Sequence, residues 1–179
     1  TAMRALATAW RNGGGTVVGL APSAAAAAQL GAQIDTHADT MALLTHALNH
    51  RRPLPAWADH IGPTSLVIID EAGMADTLAL DQVVEFVLDR GGSVRLIGDD
   101  QQLAAIGAGG VLRDIQAQHG AVQLNELVRF ADPAEGAASL ALRAGDPEAL
   151  GFYLDNHRVH VGDLGTCADQ VFDSWLTAR

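Results

Sequence analysis

Short, uninterrupted apolar runs alternate along the chain with longer stretches whose apolar positions recur every three or four residues. "TVVGLAP" at 16–22, "LVIID" at 66–70 and "SVRLIGDD" from 93 are the runs. None alternates apolar with polar, so each reads as a strand covered on both faces. Between them the period is helical. Residues 2–12 set Met3, Leu6, Ala9 and Trp10 on one face and stop at "NGGG". Ser23 is placed to cap a helix running to Ile34. Further helices are expected over 39–49, starting at Asp39, and over 77–90, with a proline-rich loop at 51–65 between them. "GAGGVLRDIQAQHG" is a glycine-rich turn leading into a helix, and "AVQLNELVRF" at 121–130 reads as a last strand and its exit. Helices alternating with buried strands predict an α/β fold, a parallel sheet with helices on both faces. The character changes after residue 131. Short helices are expected from Pro133 and Pro147, then a strand at 158–162 and a closing helix at 167–178. The expected organisation is therefore a main domain over 1–131 and a small peripheral segment over 132–179.

Composition narrows this picture. With 179 residues, 49% apolar and only 4% aromatic, the chain can build a core from small aliphatic side chains. A lone cysteine, Cys167, excludes an internal disulfide framework. No apolar run approaches the roughly 18 residues of a membrane span, and the N-terminal stretch lacks the compact apolar segment of a secretory signal. A bacterial cytoplasmic location is the expectation. The net charge of −10 argues against a broad basic face for nucleic acid. It leaves open a protein that touches single strands through backbone amides and a few polar groups.

In a parallel sheet, ligands sit beyond the carboxyl ends of the strands. Three strand ends carry suitable chemistry, and all should face one crevice. The strand ending in Asp70-Glu71 has the Walker B arrangement. An aspartate there holds Mg²⁺ through water, because Mg²⁺ dehydrates reluctantly. The adjacent glutamate polarises the attacking water of a phosphoryl transfer. The competing reading is an acidic pair capping a helix. "GDDQQL", from Gly98, ends the next strand. Gln102 can sense a γ-phosphate and Asp99 can hold the loop or touch the metal shell; a plain turn is the alternative. Arg129, after another apolar run, can act as an arginine finger or simply pair with Glu126. The seven histidines show no metal-ligand spacing, and the three tryptophans are too scattered for a base-stacking platform.

Taken in order, "GLAPSAAAAAQL", "LVIIDEAGM", "LIGDDQQLAAIGAGG" and "LNELVRF" resemble motifs Ia, II, III and IV of RecD-like superfamily 1 helicases. More narrowly, the chain is similar to the helicase region of conjugative relaxases of the TraI/TrwC type, and the similarity runs through its whole length. The resemblance implies a RecA-like P-loop NTPase sheet and ATP hydrolysis with Mg²⁺, coupled to 5′-to-3′ stepping on single-stranded DNA. It implies Asp70 as the metal-associated acid, Glu71 as the catalytic base, Gln102 as the γ-phosphate sensor and Arg129 as the finger. Asp99, Gln102 and Arg129 would face the nucleotide, and Pro22 and Ser23 the DNA backbone. Proteins of a conjugation machinery are further expected partners. Two departures qualify this. No G-x-x-x-x-G-K-[ST] loop occurs in the chain, and "TAMRALATAW" looks like the helix that follows one. The strand before that loop is then also absent, which predicts a gap between neighbours in the sheet. These residues alone are expected to bind ATP weakly and not to unwind DNA. A stand-alone RecD-like helicase and a non-catalytic helicase-like module that binds DNA or a partner are the alternatives.

Overall fold

The computed structural model describes residues 1–100, 102, 110–124 and 130–178. In chain order the elements are α1 (Ala2–Asn12), β1 (Thr16–Ala21), α2 (Ala24–Ile34), β2 (Ala38–Thr40), α3 (Met41–Asn49), α4 (Ala56–Asp59), β3 (Ser65–Ile69), a 3₁₀ turn (Ala72–Met74), α5 (Thr77–Asp89), β4 (Ser93–Leu96), α6 (Val111–His119), α7 (Pro133–Arg143), a second 3₁₀ turn (Pro147–Ala149), α8 (Leu150–Asp155) and α9 (Leu164–Thr177). They fall into two units, Thr1–Val122 and Gln123–Arg179. No helix among the described residues is long and apolar enough to cross a membrane.

The first unit is a four-stranded parallel sheet in the order β2-β1-β3-β4. β3 lies inside it and all five of its residues are buried. Its alternate side chains feed two cores. Leu66 and Ile68 pack with Val17, Ala7, Leu30 and Ile34 beneath α1 and α2. Val67 and Ile69 pack with Leu20, Leu44, Leu80, Val83 and Val87 beneath α3 and α5. A strand covered on both faces has no polar positions to alternate with, which is why the run "LVII" is continuous. The expected gap is absent among the described strands, since each neighbouring pair is directly hydrogen-bonded. The chain passes from β1 outward to β2 and then returns to the other side of β1 as β3. Strand order reverses between β1 and β3, the place where parallel sheets open a crevice.

Local chemistry fixes the helices around this sheet. Ser23 caps α2, its Oγ accepting from Ala26 N at 3.2 Å. Asp76 caps α5, accepting from the amides of Leu78 and Ala79 at 3.0 and 3.2 Å. The carbonyl end of α2 is closed from outside the helix. Arg4 Nε donates to Gln33 O at 2.9 Å, and Arg11 donates to the carbonyls of Ile34 and Asp35. Two cations on α1 thus satisfy the last carbonyls of α2 and oppose its dipole. Close approach of α2 to the sheet depends on Gly19. A Cβ there would lie 2.8 Å from Leu30 Cδ2 and 2.9 Å from Ala38 Cβ.

Several expectations are corrected here. On α1 the inward face is Met3, Leu6, Ala7 and Trp10, while Ala9 is exposed. Residues 38–40 are a strand, and the helix expected from Asp39 starts at Met41 with Thr40 as its cap. Pairing decides this, because Gly19 N donates to His37 O at 2.9 Å and brings Ala38–Thr40 into register with β1. Within the proline-rich loop, Ala56–Asp59 forms one helical turn. Residues 121–124 carry no strand, and the rest of the strand expected at 121–130 lies largely outside the described residues.

The second unit is helical among its described residues. α7, the second 3₁₀ turn and α8 pack on one another. Arg158 pairs with Glu135 of α7. The strand expected at 158–162 is absent; these residues are exposed coil, and no strand among the unit's described residues offers them a ladder. Asp163 caps α9, accepting from Thr166 N at 2.8 Å. Hydrogen bonds from the Thr166 amide and hydroxyl hold its carboxyl below the ordinary carboxylate range. The charged form is the one the folded helix favours. The cap's contribution is therefore complete above the ordinary carboxylate range and is lost as pH falls through the lowered value. Amide protection in α9, taken relative to the intrinsic exchange rate at each pH, is expected to fall on acidification through that window. In Asp163→Asn, which keeps an acceptor without a titrating proton, the acid dependence should flatten. An unchanged acid response in the Asn variant would show that other carboxylates govern it.

Candidate nucleotide site

The carboxyl ends of β1, β3 and β4 lie along one edge of the sheet because all three run parallel. Pro22 and Ser23 follow β1. Ser23 is exposed; its hydroxyl oxygen is engaged as the α2 cap, and its proton remains able to donate outward. Asp70 follows β3 and is tied to β1 by its amide, which donates to Leu20 O at 2.9 Å. That bond sets Asp70 beside the end of β1.

Asp70 and Glu71 are half-buried. Glu71 sits in the left-handed region at φ 53°, ψ 36°, unusual for a residue with a Cβ, and its amide donates to Asp70 Oδ1 at 3.0 Å. Such a conformation costs about 1–3 kcal/mol and concentrates at functional loops. The helix-cap alternative fails at Glu71, whose side chain makes no capping hydrogen bond to the 3₁₀ turn. α5 is capped instead by Asp76. No capping role therefore accounts for the Glu71 carboxylate.

The exit of β4 is pressed against this loop. Ile97 N donates to Ile69 O at 2.8 Å, and Ala72 N donates to Ile97 O at 2.9 Å. Glycines permit the contact. A Cβ on Gly73 would meet Asp99 O at 2.7 Å, and one on Gly98 would come within 3.0 Å of the amides of Ala72 and Gly73. Asp99 is half-buried, and its Oδ2 accepts from Gln102 Nε2 at 3.3 Å. Asp99 and Gln102 share a small recess of about 140 Å³ with Gly73, Gly110 and Arg113. Asp70 and Glu71 do not line it; they begin the loop whose Gly73 forms one wall. The recess is well below the roughly 300 Å³ at which small-molecule pockets begin, so it is too small for a whole nucleotide.

The residues present are carboxylate and amide oxygens, the hard donors that suit Mg²⁺ and its water shell. Among the described residues no group of three His, Cys, Asp or Glu side chains converges to hold a metal directly. Three of the histidines have local contacts: His46 stacks on His50 at 4.2 Å, and His60 Nδ1 lies 2.7 Å from Ala56 O. Trp10 Nε1 donates to Thr64 O at 2.8 Å and Trp57 Nε1 to Asp39 Oδ2 at 3.3 Å, so both have packing roles. Arg129 lies outside the described residues. Sequence reasoning missed Gly73 and Arg113. A glycine after Asp-Glu was a visible signal for Gly73. Nothing in the residue pattern pointed Arg113 back at Asp100, thirteen residues earlier.

Residues 1–164 match the AAA domain family. The chain is 30% identical over 160 residues to the conjugal transfer protein TraA of Agrobacterium fabrum, and 31% identical over 160 residues to TraA of Rhizobium radiobacter. It is 28% identical to a probable conjugal transfer protein TraA of Sinorhizobium fredii. Each match takes in 89% of this chain but 14% of the relative.

Proposed function

The chain belongs to the AAA domain family, in its RecD-like helicase branch, and from that premise we propose that it is part of an ATP-dependent motor that moves 5′-to-3′ on single-stranded DNA during conjugal transfer. The observation that carries the reading is the joined pair of loops after β3 and β4. They bring the Asp70 carboxylate, and a Glu71 carboxylate without a capping role, beside an Asp–Gln pair at the carboxyl edge of a parallel sheet.

In this reading Asp70 would hold Mg²⁺ by way of water, and Asp99 would hold its loop in place or contact the metal's shell. When bound, Mg²⁺ neutralises charge on the β- and γ-phosphates. Glu71 orients the attacking water and accepts its proton. Gln102 donates to a γ-phosphate oxygen, and Arg129 stabilises charge on the transferring group. The Ser23 hydroxyl, at the end of β1 beside Pro22, donates to a DNA phosphate. The chain contains no lysine-bearing phosphate loop, so tight ATP binding draws on residues beyond these 179. The chain alone should therefore bind ATP with a Kd weaker than about 1 mM, roughly 4 kcal/mol of binding free energy.

Strand displacement by the longer polypeptide that carries the phosphate loop tests the motor reading. Duplexes with a 5′ single-stranded tail should be unwound and those with only a 3′ tail left intact. Unwinding confined to 3′ tails would reverse the direction. Tight single-strand binding without ATP turnover would favour a non-catalytic module, which the missing loop also favours.

A further inference from the structure

The recess that holds Asp99 and Gln102 has a wall that the residues assigned above do not explain. Arg113 stands in the first turn of α6, an exposed side chain. Its Nε and Nη2 both donate to the carbonyl oxygen of Asp100, at 3.1 and 3.0 Å. Two N–H groups of one rigid plane on one acceptor fix direction as well as distance, and a lysine has no equivalent fork. On the other side of the same segment stands the Asp70 loop. There the Gly73 backbone leaves no space for a methyl beneath Asp99 O. Leu112, next to Arg113, lies against Gly98, where an added Cβ would be 3.1 Å from its Cδ2.

Gly98–Asp100 is thus held between the Asp70–Gly73 loop and the start of α6. Gln102 is carried two residues beyond the clamped carbonyl, bonded to Asp99. Gly-Asp-Asp is adaptable turn chemistry that does not choose one geometry by itself. Contacts from outside the turn constrain it. We infer that Arg113 is a positioning residue, through which α6 sets Asp99 and Asp100, and with them Gln102, against the Asp70–Glu71 loop. The inference rests on the reading of Gln102 as the γ-phosphate sensor. It adds that the sensor's placement is controlled from α6.

Because Arg113 is exposed, its removal should leave the fold intact, and Arg113→Ala can be tested in the longer polypeptide. Single-strand-stimulated kcat should fall by about 10- to 100-fold, as for a misplaced but present group, with KM for ATP close to wild type. In a Gln102→Ala background the same change should cost nothing further. Amide exchange should accelerate at Gly98–Gln102 and stay unchanged in β3 and α5. Arg113→Lys should resemble Arg113→Ala more than wild type. Equal losses of kcat in both backgrounds, or unaltered exchange at Gly98–Gln102, would overturn the inference. If the wild type shows no stimulated turnover, the motor reading fails, and the exchange result alone then decides whether Arg113 positions the segment.

Discussion

Replacing Glu71 by Gln is expected to cut single-strand-stimulated ATP turnover by about 10²- to 10⁴-fold, the usual contribution of a positioned general base. The measurement is steady-state ATPase of the longer polypeptide with and without single-stranded DNA. KM for ATP should change little, because Glu71 acts on the attacking water and not on the bound nucleotide. Thermal stability should also change little. The amide of Gln fills the same volume, and Gln adopts the left-handed conformation of residue 71 at the same cost as Glu. Nor is a capping bond at stake, since the Glu71 side chain makes none. A variant that folds normally and turns over within about twofold of wild type would remove Glu71 from the chemistry. The half-buried carboxylate would then need another explanation.

The largest effect on stability is expected at Ile68→Ala. Ile68 is fully buried in the middle of β3, between β1 and β4, and packs beneath α1 and α2 with Leu30 and Ile34. Deleting its branched side chain removes transfer free energy and leaves a cavity that a strand paired on both sides cannot close. The cost should be about 2–5 kcal/mol, a large part of the 5–15 kcal/mol typical of a domain. Urea unfolding would show this as a lower midpoint at unchanged slope. The site should suffer too, because Asp70 lies two residues further on, just past the end of β3. A loss below about 1 kcal/mol would mean that the α1–α2 layer relaxes into the space, contrary to the close packing expected of such cores.

Much of the first unit was legible because burial leaves a direct imprint on composition. A strand covered on both faces must be apolar throughout, and "LVII" could be read as one without any partner in view. The helix after Ser23 announced itself through a capping side chain that acts within three residues. Elements whose identity depends on a distant partner were harder to read. Ala38–Thr40 has no strand character of its own and becomes one because β1 offers a free ladder. Residues 158–162 have the alternating pattern of a strand and form none, because no ladder is offered among the described residues of their unit.

The candidate site divides along the same line. Residue types and their order along the chain were enough to mark Asp70, Glu71, Asp99 and Gln102 and the parallel sheet that gathers strand ends at one edge. The tertiary structure alone decided how the ends meet. It turned Glu71 into the left-handed region, gave the capping of α5 to Asp76, and pressed Gly73 against Asp99. It also brought Arg113 back onto the Asp100 carbonyl. The physical reason is range. Hydropathy, capping and turn preference act over a few residues and are written locally, whereas steric contact between two loops depends on where the sheet and α6 have carried them.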